Sequence, residues 1–258
     1  MKQFKVDELM EWTPPMPDRY REGYLLGAYP EDRLRKVMWK YLLREPNMRR
    51  AWVRINAHLP ETLVNSERLS ILEFSTAHGA MLEVWRDHGH HVRGTDFNWA
   101  KGQEPLPLDR PWKARAIEDL REITSPSPPR AEIDGWAYQP LIESQGLEVD
   151  MVDGREWPYP YEDKSFDVVC CYQAIEAYAH PSKWIEIARE FCRIARKTVV
   201  IGFNPPAVSK FEEDFDAARA AWLDFQRFDE MGFRVDFFEV GNTRRGVHPT
   251  ACKLVAIN

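Results

Sequence analysis

The chain has 258 residues, 44% of them hydrophobic and 29% charged, the balance of a folded globular protein with a sizeable core rather than a disordered or fibrous one. Its 35 Lys and Arg against 41 Asp and Glu give a net charge of -6, which argues against a protein built to wrap a polyanion, so no nucleic-acid partner is expected. No apolar run reaches about 18 residues, so no membrane span is expected, and the opening MKQFKVDELMEW lacks the apolar segment of a secretory signal, so a cytoplasmic location is.

The N-terminal 69 residues read as an arm and a helical hairpin. After the proline-rich stretch Trp12 to Pro17, Leu34, Val37, Met38, Tyr41 and Leu42 repeat at helical spacing behind Pro30-Glu31-Asp32, predicting a helix from Glu31 to Arg44. Pro46 and Asn47 should break it, and Met48, Ala51, Trp52 and Ile55 predict a second helix stopped at Leu59-Pro60.

From Ser70 strands and helices alternate. Ile71 to Phe74 predicts a strand, Ala80 to His88 a helix ending at Gly89, and His91 to Asp96 a second strand, together a βαβ unit. Between Phe97 and Gln145 lies a proline-rich insertion with one short helical candidate, Trp112 to Ile123, expected to lie over one end of the sheet. Further strands are predicted at Leu147 to Val152, Phe166 to Tyr172, Thr198 to Phe203, Val235 to Val240 and Cys252 to Ile257. Helices are predicted at Trp184 to Arg196 and at Phe211 to Met231, the latter capped by Gly232. The fold class expected is α/β, a doubly wound, mostly parallel sheet covered on both faces and ending in an antiparallel hairpin. The domain carrying it should span residues 70 to 258. The four cysteines, Cys170, Cys171, Cys192 and Cys252, show no metal-ligand spacing and read as buried small hydrophobes, with no metal site expected.

In such a sheet, ligands bind beyond the carboxyl ends of the strands, so the informative residues are Glu73 to Gly79, Asp96, Asp153-Gly154, Gln173 to His180 and Asn204-Pro205-Pro206. The segments ILEFSTAHG, HVRGTD, VDGREWPYPYEDKSFDVVCCYQAIEAYAHP and AREFCRIARKTVVIGFN resemble the class I S-adenosylmethionine-dependent methyltransferases. The most specific part is Asp153, Trp157, Pro158 and Asp163 followed by Ser165-Phe166-Asp167-Val168-Val169, with Glu190 and Arg193 matching the family's Glu-x-x-Arg helix. The resemblance implies a seven-stranded Rossmann-like sheet, S-adenosylmethionine as cofactor and methyl transfer to a small-molecule acceptor; a homo-oligomer is compatible with it.

It also implies site residues. Asp96 would accept the ribose hydroxyls, Asp153 the adenine amine, and Glu73 would face the methionine ammonium, with Ser75, Ala77, His78 and Gly79 forming the loop against that end. Phe97 would flank the adenine, and Gly154, Tyr172 and Gln173 complete the binding set. Candidates on the acceptor side are His180, as general base, with Glu176 and Tyr178. The sequence departs from the family in the first loop, where Ser75 and Ala77 replace two glycines. Two outcomes follow: the loop keeps its shape and its ligand, or the chain is a scaffold used for protein interaction or non-catalytic ligand binding. His88, His90 and His91 around Gly89 read as a surface turn at the opposite end of the sheet.

Overall fold

The computed structural model describes residues 13–27, 29, 39–64, 66–97, 136–204, 212–243 and 246–257. Most of the predicted helix from Glu31, the helical candidate in the insertion and Pro205-Pro206 lie outside the described residues.

The described strands form one eight-stranded sheet in the order β3-β2-β1-β4-β5-β8-β7-β6. β1 (Ser70–Phe74), β2 (His91–Asp96), β3 (Val149–Met151), β4 (Phe166–Tyr172) and β5 (Ala195–Gly202) run parallel, while β8 (Gly246–Ala256) pairs antiparallel with both β5 and β7 (Phe233–Thr243). This is the predicted mixed sheet with a terminal hairpin. The eighth strand is the two-residue edge strand β6, Asp229–Glu230, which is too short for a periodicity argument to detect.

The central strands form because their apolar runs can be buried on both sides. All seven residues of β4 are buried, as expected of an interior parallel strand, and its side chains alternate between two cores. Val169 and Cys171 join Leu72 and Phe74 on one face, under Phe191 of a helix at Trp184–Ile194 and Trp222 of another at Glu212–Gln226. Val168 and Cys170 join Ile71 on the other, under Met48, Trp52 and Ile55 of a helix at Arg44–His58 and Val84 and Trp85 of a helix at Ala80–Asp87. In chain order the helices are α1 (Trp39–Leu42), α2 (Arg44–His58), α3 (Glu61–Val64), α4 (Ala80–Asp87), α5 (Gln139–Ser144), α6 (Ile175–Tyr178), α7 (Trp184–Ile194) and α8 (Glu212–Gln226).

Three sequence expectations need correction. The break between the first two helices falls at Leu43, and Pro46 sits inside the first turn of α2, where a proline's missing N-H would have had no partner anyway. α8 ends at Gln226 instead of Met231; Met231 and Gly232, both at positive φ (57° and 75°), make the turn joining β6 to β7. His90 is not in a surface turn but is buried: Nδ1 accepts from the Leu69 amide at 3.1 Å, and Nε2 donates to the Thr62 carbonyl at 2.6 Å. A single neutral imidazole thereby satisfies a donor and an acceptor that neither strand nor helix would pair.

Phe191 is fully buried, with its ring centroid 5.1 Å from that of Phe74 and 5.8 Å from that of Tyr159. Phe191→Ala should lower the unfolding free energy by about 3–5 kcal/mol in urea denaturation, and a loss under about 1 kcal/mol would show that this face is not the close-packed core described.

Candidate functional site

β1 and β4 are adjacent and parallel, but the chain leaves β1 toward β2 on one side and β4 toward β5 on the other. The crevice beyond their carboxyl ends is the switch point at which open α/β sheets bind ligands. Glu73, Asp96, Asp153, Tyr172 and Gln173 all lie at or beside the carboxyl ends of β1 to β4.

The loop after β1 carries the local strain. Ser75 (φ 62°), Ala77 (φ 52°) and Gly79 (φ 72°) alternate in the left-handed region, which costs a residue with a Cβ roughly 1–2 kcal/mol. The neighbours hold it there. Asp96 Oδ2 accepts from the Ala77 amide at 3.0 Å, the Ser75 amide donates to Thr95 Oγ1 at 3.3 Å, and the Thr76 amide donates to the Thr95 carbonyl at 2.8 Å. The other Asp96 oxygen accepts from the Phe97 amide at 2.7 Å. Gly79 caps α4 and cannot be replaced freely, because a Cβ there would lie 2.7 Å from both Ile142 and Leu147. His78 accepts from the Ala80 amide through Nδ1 at 3.3 Å, and its ring lies 5.3 Å from Tyr41.

Glu73 is the electrostatic anomaly of the site. It is buried, with 6% exposure, and its Oε2 has no hydrogen-bond partner among the described residues. Burial pushes its pKa up to about 8, with Arg54 drawing it down and Asp96 adding to the rise. Arg54, one turn before the end of α2, lies over the Tyr172 ring at 5.1 Å and donates to Gln173 Oε1; its own pKa is lowered by burial.

Beyond β3, Asp153 receives Arg155: the guanidinium donates Nε to Oδ1 at 2.9 Å and Nη2 to Oδ2 at 2.5 Å, and the Arg155 amide donates to Oδ1 at 2.9 Å. Gly154 packs so closely on Tyr178 that a Cβ would lie 2.8 Å from its ring. This segment is fixed from behind by Arg193, which donates to the Tyr159 and Tyr161 carbonyls and to Asp163, while Glu190 accepts from the Tyr159 amide. The Glu-x-x-Arg pair thus anchors the loop. Met151, Asp153, Glu156, Trp157, Pro158 and Pro160 line a cleft of about 410 Å³ beside it.

Beyond β4, Glu176 accepts from the Asn204 amide at 2.6 Å, and Asn204 Nδ2 donates to the Gln173 carbonyl at 3.0 Å, so the ends of β4 and β5 are tied together. Tyr178 contacts Cys171 Sγ through its hydroxyl at 3.5 Å. His180 accepts from the Ser182 amide at 3.2 Å as the N-cap of a short 3-10 turn. The four cysteines are buried and free.

Sequence reasoning missed a second histidine. His58 of α2 stacks on Tyr172 with an interplanar angle of 8°, and its Nδ1 lies 3.0 Å from the Tyr172 hydroxyl. Its Nε2 lies 3.1 Å from Glu239 Oε2, which also accepts from Thr250 at 2.6 Å. Burial alone would raise the Glu239 pKa, but these bonds bring it below its ordinary value. An ionised carboxylate only accepts, so Nε2 of His58 carries a hydrogen toward Glu239, while Nδ1 faces the Tyr172 hydroxyl. Glu239, His58 and Tyr172 form a buried chain of polar contacts that ties α2 to β4 and β7. The signal was available, since His58 follows Met48, Ala51 and Ile55 at helical spacing.

No family model matches the sequence, and no curated protein matches it. Among solved structures, the chain is similar to magnesium protoporphyrin IX methyltransferase from Synechocystis PCC 6803 with bound SAM, at 13% identity and a TM-score of 0.44 over 93% of this chain and 90% of that one. It is similar also to the PH0226 protein of Pyrococcus horikoshii OT3, at 15% identity and a TM-score of 0.45 over 95% and 100%. A putative RNA methyltransferase, PH1948 of Pyrococcus horikoshii, matches at 12% identity and a TM-score of 0.40 over 98% and 96%. At such identities the site has to be read from its own residues.

The Glu73 carboxyl gives a direct check. A carboxyl whose pKa is raised from 4.5 to about 8 in the fold contributes stability fully present below about 4.5. That contribution is lost as pH rises through 8, at about 1.4 kcal/mol per pH unit in between. Glu73→Gln removes this titration, so urea denaturation should show wild type losing stability relative to the variant from about pH 5 to pH 8. Parallel pH profiles would mean that Glu73 is ionised in the fold.

Proposed function

We propose that the protein transfers a methyl group from S-adenosylmethionine to a small-molecule acceptor. The observation that carries this reading is the backbone of the β1 loop. Ser75 and Ala77 hold the left-handed conformations that favour glycine, and Asp96 pins the loop from β2. Strain of this kind persists only where the surroundings enforce it, and it clusters at ligand sites.

The residues present fit such a cofactor. Glu73 offers a buried oxygen without a partner where an ammonium would belong, and Arg54 stands nearby to take a carboxylate. Asp96 and Phe97 would hold the ribose and flank the purine, Asp153 would accept the adenine amine, and Ser75 to Gly79 would present backbone groups. The cofactor, when bound, supplies an activated methyl on a sulfonium. The chain's task is then alignment of the acceptor, with proton removal only where the methylated atom carries a proton. Gln173, Glu176, Tyr178 and Asn204 border the acceptor side. Of the histidines, His180 would be the proton acceptor, since Nδ1 is the nitrogen that Ser182 engages, whereas both nitrogens of His58 face Tyr172 and Glu239. The net charge of -6 favours a small acceptor over a polyanion. The non-catalytic scaffold reading has one observation in its favour, the Asp153 carboxylate already paired with Arg155.

Titration with S-adenosylhomocysteine tests the proposal. Binding in the micromolar range is expected. At pH 7 it should release a proton, because an arriving ammonium ionises Glu73, and calorimetry in buffers of different ionisation enthalpy reads that release. Glu73→Gln should bind without it. No binding at millimolar ligand would overturn the reading.

A further inference from the structure

Arg155 engages both Asp153 and Phe97. Its guanidinium pairs with both oxygens of Asp153, its amide donates to the same carboxylate, and its Cζ lies 5.4 Å from the centre of the Phe97 ring. Asp153 is left with 9% side-chain exposure and Arg155 with 27%. Asp153 also lines the adjoining cleft. A guanidinium is a planar cation that stacks on aromatic faces and donates in parallel to a carboxylate. A purine carrying an exocyclic amine has the same two requirements: an aromatic face to stack on and a carboxylate to receive its N-H.

Resting on the methyltransferase reading, we infer that Arg155 is an internal occupant of the base slot between Phe97 and Asp153, which the purine of the cofactor must displace. The contact is local, since Arg155 lies two residues from Asp153, so little chain entropy opposes its closing. The bidentate geometry makes it one of the stronger surface pairs. Affinity for an adenine nucleoside is therefore set partly by the chain's own side chain. A ligand that cannot both stack and donate has no means of moving it.

The test is calorimetric titration of the full chain with S-adenosylhomocysteine, comparing wild type with Arg155→Met, which keeps an unbranched stem, and Arg155→Lys, which cannot pair in a bidentate way. Circular dichroism confirms that each is folded. Tightening of threefold or more in Arg155→Met, with Arg155→Lys in between, is the expected result. Binding by wild type with equal or weaker binding by Arg155→Met overturns the internal occupant and leaves the cofactor reading standing. Binding by Arg155→Met alone supports both, and failure of all three folded proteins to bind at millimolar ligand overturns the cofactor reading and this inference with it.

Discussion

The Asp96 carboxylate is the fixed point of the site. One oxygen holds the Ala77 amide and the other the Phe97 amide, so a single side chain at the end of β2 joins the strained loop after β1 to the start of the next segment. Two left-handed residues bearing a Cβ would relax if the loop were released, since each is strained by roughly 1–2 kcal/mol. Charge-assisted bonds to a partly buried carboxylate are of the right size to oppose that. The loop's shape therefore depends on tertiary contact and not on the local permissiveness of glycine. That explains how Ser75 and Ala77 can occupy conformations usually left to glycine.

The same carboxylate shapes the electrostatics. Burial raises the Glu73 pKa most, and two neighbours on different elements adjust it, Arg54 lowering it and Asp96 adding to the rise. Leaving a buried carboxyl oxygen unpaired costs about 1–3 kcal/mol, a cost that natural folds carry mainly where a ligand or a reaction recovers it. Arg54, itself held back by desolvation, is stacked on Tyr172 rather than bonded to Glu73. The arrangement keeps a cation and a buried acid close without a hydrogen bond between them.

Much of the sheet was legible because its strands are buried on both faces, which forces continuous apolar runs such as Phe166 to Tyr172. The βαβ unit was bounded closely, since Gly79 and Gly89 punctuate it at residues with positive φ. What could not be read was anything set by contacts distant in sequence. His90 looked like turn material because its neighbours are polar, and only the fold brings the Thr62 carbonyl and the Leu69 amide to its two nitrogens. The end of α8 was overrun because Gly232 reads as a helix cap, whereas its positive φ serves the turn between β6 and β7. At the site, the residue types at the strand ends were named from sequence. The pairing of Asp153 with Arg155 was not, because a charged neighbour two positions away carries no periodic signal.

The least legible contribution comes from α2, which spacing presented as half of a hairpin. Its apolar stripe, Met48, Ala51, Trp52 and Ile55, packs on the sheet beside Ile71 and Cys170, and that packing fixes the rotation of the helix. Once the rotation is fixed, Arg54 and His58, four residues apart, must project along one side of it. Arg54 then reaches Gln173 and the face of Tyr172, while His58 reaches the hydroxyl of the same tyrosine and Glu239 beyond it. Tyr172 is thus gripped at its ring and at its oxygen by one helix, and it is the last residue of the strand that borders the switch point. The apolar stripe and the polar contacts are one constraint: shifting α2 by a single residue would unseat the core and turn both polar groups away from β4 together.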